Sequence, residues 1–170
     1  MYEKYLRETK IRIIDYRCEC CGGLPPNLYV DREMSIEYAL FLNAYKLICD
    51  EYGKEIPITR GYSCSKHNTF IFLKKVKDKY GPLNDEKIIQ IINNSSMTPF
   101  SVHPFGLALD IQPDNKEEIE KVVKIAKKIK PKLRIGWRGY LSNVRPHIHI
   151  DMGFLITPRW SNALIEGMEW

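Results

Sequence analysis

At 170 residues, 44 % of them hydrophobic and 28 % charged, the chain is long enough to bury one real core and too short for two comfortable domains. No apolar run reaches the ~20 residues of a membrane-spanning helix, and the N-terminal MYEKYLRETK lacks the apolar centre of a secretory signal. The net charge of +5 is a modest basic excess that by itself selects no class of partner. These bounds lead to one domain over 1–170. They lead equally to synthesis in the cytoplasm, with export or delivery by another agent left open, and to no membrane partner.

In chain order, TKIRIIDY (9–16) is β-like and runs into the Cys-Gly-Gly and Pro-Pro breakers of 18–26, a loop. Five cysteines, three of them in RCECCGG, are an odd number, so complete internal disulfide pairing is excluded. Kept reduced, Cys18, Cys20 and Cys21 with Cys49 or Cys64 can hold a structural metal, although the spacing is poor for a standard zinc knuckle and buried thiols or one disulfide are the plainer reading. From Asp31 to about Tyr52, apolar Ile36, Ala39, Leu40, Leu42, Ala44, Leu47 and Ile48 suit a helix facing the core, stopped by Gly53. EIPITRGYS (55–63) reads as a short strand and turn. Helices follow over Lys66 to Tyr80 and Asp85 to Asn93, then a polar loop, NNSSMTP.

Gly106 to Ile111 reads as a buried strand. Beyond it, DNKEEIEKVVKIAKKIK predicts a helix capped by Asp114 or Asn115, acidic early and basic late as the helix dipole prefers. Its lysines form a solvated face, so no specific nucleic-acid partner is expected. LRIGWRGYLSNVRPHIHIDMG (133–153) gives two strand-like runs around a Gly- and Asn-containing turn, and FLITPRWSNALIEGMEW is a terminal helix or tail anchored by Trp160. Helices followed by antiparallel-looking strands predict α+β, a small antiparallel sheet with helices packed on it.

The chain has four histidines, and three fall in or beside these strand-like runs. In PHIHID, His147, His149 and Asp151 alternate with Ile148 and Ile150, so a strand would present the polar residues on one face. Such a face is costly to bury without partners. His103, on the loop entering the strand that carries Asp110, completes a set of two nitrogen donors and one oxygen donor. With His149 they would make a three-ligand zinc site whose fourth position is open for catalysis. Any one of these histidines alone is more readily a hydrogen-bonded core residue; the alternation turns the balance.

SVHPFGLALDI resembles the S-x-H-x-x-G-x-A-x-D-I signature of the zinc peptidases that include D-Ala-D-Ala carboxypeptidases and phage L-alanyl-D-glutamate endopeptidases, a superfamily sharing its fold with the Hedgehog signalling domain. HIHIDMG is similar to that family's last-ligand strand, ITRGYSCSKHN to its TSGYRCPxHN element, and YRCECCGG to the Cys-rich start of phage and murein-endopeptidase members. The resemblance covers a peptidase-like core at about 16–153, leaving a C-terminal packing tail at 154–170, and implies a Hedgehog/DD-peptidase-like fold and Zn²⁺ on His103, Asp110 and His149. It places Ser101 and Gly106 at the motif's serine and glycine, His147 as an active-site histidine that orients water or stabilises an oxyanion, and His67 as a structural residue near a helix start. Asp151 either bonds a ligand imidazole or lies outside the site. Two departures accompany it. SNVRP has no carboxylate where the family carries its base, leaving His147 or Asp151 as the candidate. Ser63 stands where the family has arginine, with Arg60 three residues earlier as the replacement. The implied function is an endolysin-like zinc metallopeptidase, carboxypeptidase or endopeptidase, on peptidoglycan stem peptides. The alternative is a catalytically weak or inactive zinc-bearing wall-binding or virion-associated module.

Overall fold

The structure is a computed structural model that describes residues 16–25, 32–82, 84–94, 101–130, 132–137 and 146–155. The β-like start at 9–15, the turn at 138–145 and the tail with Trp160 lie outside the described residues. The elements are helices α1 (Arg32–Tyr52), α2 (Ser65–Tyr80), α3 (Asp85–Asn94) and α4 (Lys116–Ala126), and strands β1 (Ile58–Arg60), β2 (Ala108–Ile111), β3 (Arg134–Gly136) and β4 (Ile148–Asp151). Among the described residues, no helix is long and apolar enough to cross a membrane.

Helices α1 and α4 form because apolar residues recur at helical spacing, although Ile36, Leu40 and Leu47 of α1, expected to face the core, are exposed. Along α1, Tyr38, Phe41, Leu42, Tyr45, Ile48, Cys49 and Tyr52 make one buried stripe. Gly53 ends it at φ +92°, its N–H bonded to the Cys49 carbonyl. On α4, Ile119, Val122, Val123 and Ala126 are buried, whereas Lys121, Lys124, Lys127 and Lys128 face solvent. Asn115 caps α4 by accepting from Glu118 N at 2.9 Å, and the Glu118 carboxylate accepts from Asp114 N at 3.2 Å. Asp114 is committed elsewhere, to Lys54 at 2.6 Å. Asn115 is thus the cap of the two expected, and the helix ends at Ala126, short of residue 130.

The four strands form one antiparallel sheet in the order β1-β2-β4-β3. Its two central strands are buried along their whole length. Alternation sends Leu109, Ile111, Ile148 and Ile150 into the core cluster with α1 and α4. The same alternation turns Asp110, His149 and Asp151 to the opposite face. The register puts Asp110 opposite His149, His149 opposite Gly136, and Asp151 between Ala108 and Arg134. At the β1 edge the register shifts between Ile58 and Arg60, an irregularity that places Arg60 opposite Asp110.

The strand predicted at 106–111 begins two residues later. Gly106 instead closes a 3₁₀ turn, His103–Phe105, in the left-handed region at φ +73°. A β-carbon there would lie 2.6 Å from Pro25 Cγ, 2.7 Å from Tyr38 Cε1 and 2.9 Å from the Tyr16 hydroxyl. Those neighbours crowd the turn because the Tyr16 hydroxyl donates to the Gly106 carbonyl and the Tyr38 hydroxyl to the Phe105 carbonyl. The glycine is thus required twice, by conformation and by space.

Urea denaturation separates these two requirements. Gly53→Ala, with a positive φ but open space around the position, should cost about 1 kcal/mol. Gly106→Ala should cost about 3 kcal/mol or more, because strain and overpacking add. Equal costs at the two positions would contradict the packing described for the His103 turn.

Candidate metal centre

His103 opens the 3₁₀ turn, with Ser101 Oγ accepting from its backbone N–H at 3.3 Å and the Gly106 N–H closing onto its carbonyl at 3.0 Å. This turn carries the chain from His103 into β2 and so sets the imidazole over Asp110. His103 Nδ1 donates to the Gly61 carbonyl at 2.7 Å. That bond assigns the proton to Nδ1 and leaves Nε2 with its lone pair. Nε2 is buried with no hydrogen-bond partner among the described residues, and it lies 3.4 Å from Asp110 Oδ1. The same Oδ1 is 2.7 Å from His149 Nδ1, and His149 Nε2 is 3.0 Å from Asp151 Oδ2. The two imidazoles meet edge to face with centroids 5.1 Å apart. One donor atom from each of His103, Asp110 and His149 falls within 4.8 Å of the others, and the residues are only 1 %, 8 % and 8 % exposed.

The electrostatics of this arrangement demand a positive charge. Asp151 accepts at His149 Nε2, so Nε2 carries a proton and Nδ1 turns its remaining valence toward a carboxylate oxygen at 2.7 Å. Either a second proton or a cation must stand between them. Burial lowers the His149 pKa, but the bonds to Asp110 and Asp151 outweigh it and push the imidazole up to about 9 in the protein without metal. Burial raises the Asp110 carboxyl, yet the charges and hydrogen bonds of His103 and His149 hold it well below the usual carboxylate range. Burial prevails at His103 and lowers its pKa, so this ring stays neutral with Nε2 free to donate its pair.

The residues fit a zinc ion on these grounds. Two imidazole nitrogens and one carboxylate oxygen are a donor set suited to Zn²⁺, and one of those nitrogens is a buried atom with no hydrogen-bond partner among the described residues. Each imidazole is also steered from its far nitrogen, His103 by the Gly61 carbonyl and His149 by the Asp151 carboxylate.

Asp151 is fully buried, and its other oxygen accepts from Gly153 N at 2.6 Å with Arg134 Nε 3.3 Å away. It sits on the side of His149 away from Asp110. Arg134, itself buried, was read in the sequence only as part of a strand-like run. The signal for its role is the Arg134–Asp151 register, which is visible only once β3 is aligned on β4.

Arg60 donates from Nε to Ser63 Oγ at 2.9 Å and from a terminal nitrogen to Asn68 Oδ1 at 3.1 Å. It lines a cavity of about 260 Å³ with Arg17, Thr59, Tyr62 and Ser63. His147 is half-buried, immediately before β4, and is not one of the three convergent donors. Cys18, Cys20, Cys21 and Cys64 form a separate group at the start of α2, and Cys49 is buried in the core. His67 does not use its ring as a helix cap: Nδ1 lies 3.5 Å from Cys18 Sγ, and Cys64 is the N-cap residue of α2.

No family model matches the chain, and no curated protein matches it. Among solved structures it is similar to the L-Ala D-Glu endopeptidase ChiX of Serratia marcescens, at 14 % identity and a TM-score of 0.31, over 76 % of this chain and 84 % of that one.

Two outcomes follow from the geometry. His149 has a folded pKa raised from 6.5 to about 9, so its stabilisation is fully present below pH 6.5 and lost as pH rises toward 9. In chelator, the stability difference between wild type and His149→Gln in urea should therefore shrink across that window. A difference that grows with pH would contradict the protonated bridge. Asp151→Asn should weaken zinc binding by about 10- to 100-fold in a chelator competition, since it removes the charge that orients His149; unchanged affinity in a folded variant would contradict that role.

Proposed function

We propose that the chain is a zinc-dependent peptidase of bacterial cell-wall peptidoglycan, acting on its stem peptides with a Hedgehog/DD-peptidase-like fold. The observation that carries this reading is the approach of one donor atom from each of His103, Asp110 and His149 to within 4.8 Å of one another. They do so inside the two segments, SVHPFGLALDI and HIHIDMG, that resemble the ligand segments of those peptidases.

A zinc ion bound there supplies Lewis acidity toward a peptide carbonyl and acidifies water near neutral pH. The chain's own residues do the rest. The Gly61 carbonyl and the Asp151 carboxylate hold the two imidazoles in their donating tautomers. Gly136, opposite His149, adds no side chain to that face of the sheet. Arg60, opposite Asp110 and held by Ser63 and Asn68, brings positive charge to the strand beside Asp110, which suits it to bind a substrate carbonyl or carboxylate. His147 belongs to the same alternating set as His149 and is less buried, which suits a group that exchanges protons with bound water. Asp151 has both oxygens committed, so it serves as a positioning residue.

The second reading, a zinc-bearing wall-binding or virion-associated module with little turnover, is favoured by one feature. RGYLSNVR (138–145), just ahead of the final histidines, contains no carboxylate to act as base.

Mass spectrometry of peptidoglycan treated with the purified protein separates the two. Wild type should release peptide fragments, and chelation, Asp110→Asn or His149→Ala should reduce release to background. His147→Ala should keep its zinc and lose about 10²- to 10⁴-fold in rate. A wild type that holds zinc at the His103 site yet releases no fragment would establish the module instead.

A further inference from the structure

We propose that Cys18, Cys20, Cys21 and Cys64 form a second metal site, a tetrathiolate that holds a structural Zn²⁺ and ties the N-terminal loop to the start of α2. The inference rests on a separate set of atoms and does not depend on the peptidase reading.

The four sulfurs lie within 4.8 Å of one another, with Cys18 Sγ 3.5 Å and Cys64 Sγ 3.4 Å from Cys20 Sγ. A tetrahedral ion with metal–sulfur bonds of ~2.3 Å needs sulfurs ~3.8 Å apart. The group is therefore at the scale of a tetrathiolate and needs only small side-chain adjustments to close on an ion. A disulfide would satisfy only two of the sulfurs, at ~2.0 Å, and leave the other two crowded against it. All four thiols are unpaired covalently.

The backbone around the group is arranged for sulfur as an acceptor. Cys18 Sγ accepts from Cys64 N at 3.3 Å, and Cys64 Sγ accepts from His67 N at 3.4 Å. His67 Nδ1 lies 3.5 Å from Cys18 Sγ, within reach to donate a further hydrogen bond. These are bonds that a thiolate strengthens and a thiol barely uses. The loop reverses tightly through Gly22 N to the Cys18 carbonyl at 2.8 Å and Cys18 N to the Gly23 carbonyl at 3.0 Å, with Gly22 at φ +65°. This turn is what lets three cysteines within four residues point inward to a common centre.

Four thiolates at this spacing repel one another, and a dication bound at their centre makes them tolerable together. On binding, four metal–sulfur bonds form, every thiol still protonated gives its proton to solvent, and no electrons change hands.

The site also has a structural consequence. Cys64 directly follows the turn Arg60–Ser63, in which the Gly61 carbonyl accepts from His103 Nδ1 and Ser63 N reaches the His103 carbonyl at 3.4 Å. Tyr62 N bonds the Tyr16 carbonyl at 2.9 Å, two residues before Cys18. An ion joining Cys18 to Cys64 therefore clamps both ends of the segment that aims His103.

The test uses the full chain, purified under reducing conditions and measured for metal and protein together. Wild type should carry two zinc per chain, His149→Ala one, and Cys20→Ser/Cys64→Ser one. Reconstitution with cobalt(II) should give an intense thiolate-to-cobalt charge-transfer band in the near ultraviolet in both wild type and His149→Ala. The His149→Ala spectrum isolates the cysteine site, so the proposal stays testable even if the double cysteine variant does not fold. Absence of that band from wild type and His149→Ala, or an intact mass showing a disulfide among the four cysteines of the reduced preparation, would overturn it. Loss of the His103 site alone would leave the band in place and count only against the peptidase reading.

Discussion

A carboxylate and two imidazoles buried on one face of a small sheet cannot satisfy one another by themselves. With Gly61 holding the His103 proton on Nδ1 and Asp151 holding the His149 proton on Nε2, the remaining lone pairs converge on Asp110. That convergence requires a proton or a cation between His149 and Asp110, and the surrounding architecture confines whichever is there. The sheet has two faces of opposite character for this reason. Leu109, Ile111, Ile148 and Ile150 anchor β2 and β4 to α1 and α4, and so fix the backbone from which Asp110 and His149 project. A one-residue slip of either strand would exchange the isoleucines for the donors.

The turn from Arg60 to Cys64 links the histidine site to the thiol group. Its Gly61 carbonyl orients His103, its Ser63 hydroxyl takes the Arg60 guanidinium, and Cys64 begins α2 within the thiol group. On its other side, Tyr16 bonds both this turn, through Tyr62 N, and the His103 turn, through Gly106. The segment around Tyr16 and Cys18 therefore buttresses the histidine site without contributing a donor to it. The Ser63 hydroxyl positions Arg60, which arrives from β1 by way of the register shift.

Much of this was legible in the sequence because it is local. The helix α1 follows from apolar periodicity and its glycine stop, although Ile36, Leu40 and Leu47 of that pattern are exposed, and the polar face of β4 follows from strict alternation in PHIHID. The grouping of His103, Asp110 and His149 was legible through motif spacing. What was not legible is tertiary. Nothing local says that Arg134 falls opposite Asp151, or that Cys64 and not Cys49 completes the thiol group, since Cys49 sits on the buried stripe of α1. Gly106 read as part of a strand because its neighbours are apolar, yet the chain needs its left-handed conformation to bring His103 back over Asp110. His67 read as a residue at a helix start and is one, but its ring is spent on Cys18.

Anomalous X-ray scattering at the zinc edge, from crystals of the protein grown with zinc, tests the central claim most directly. The account predicts a peak ~2.0–2.1 Å from His103 Nε2 and His149 Nδ1 and ~2.0–2.2 Å from an Asp110 oxygen, with Asp151 still on His149 Nε2. Crystals with no peak there, in which the His103 ring points away from Asp110, would contradict it.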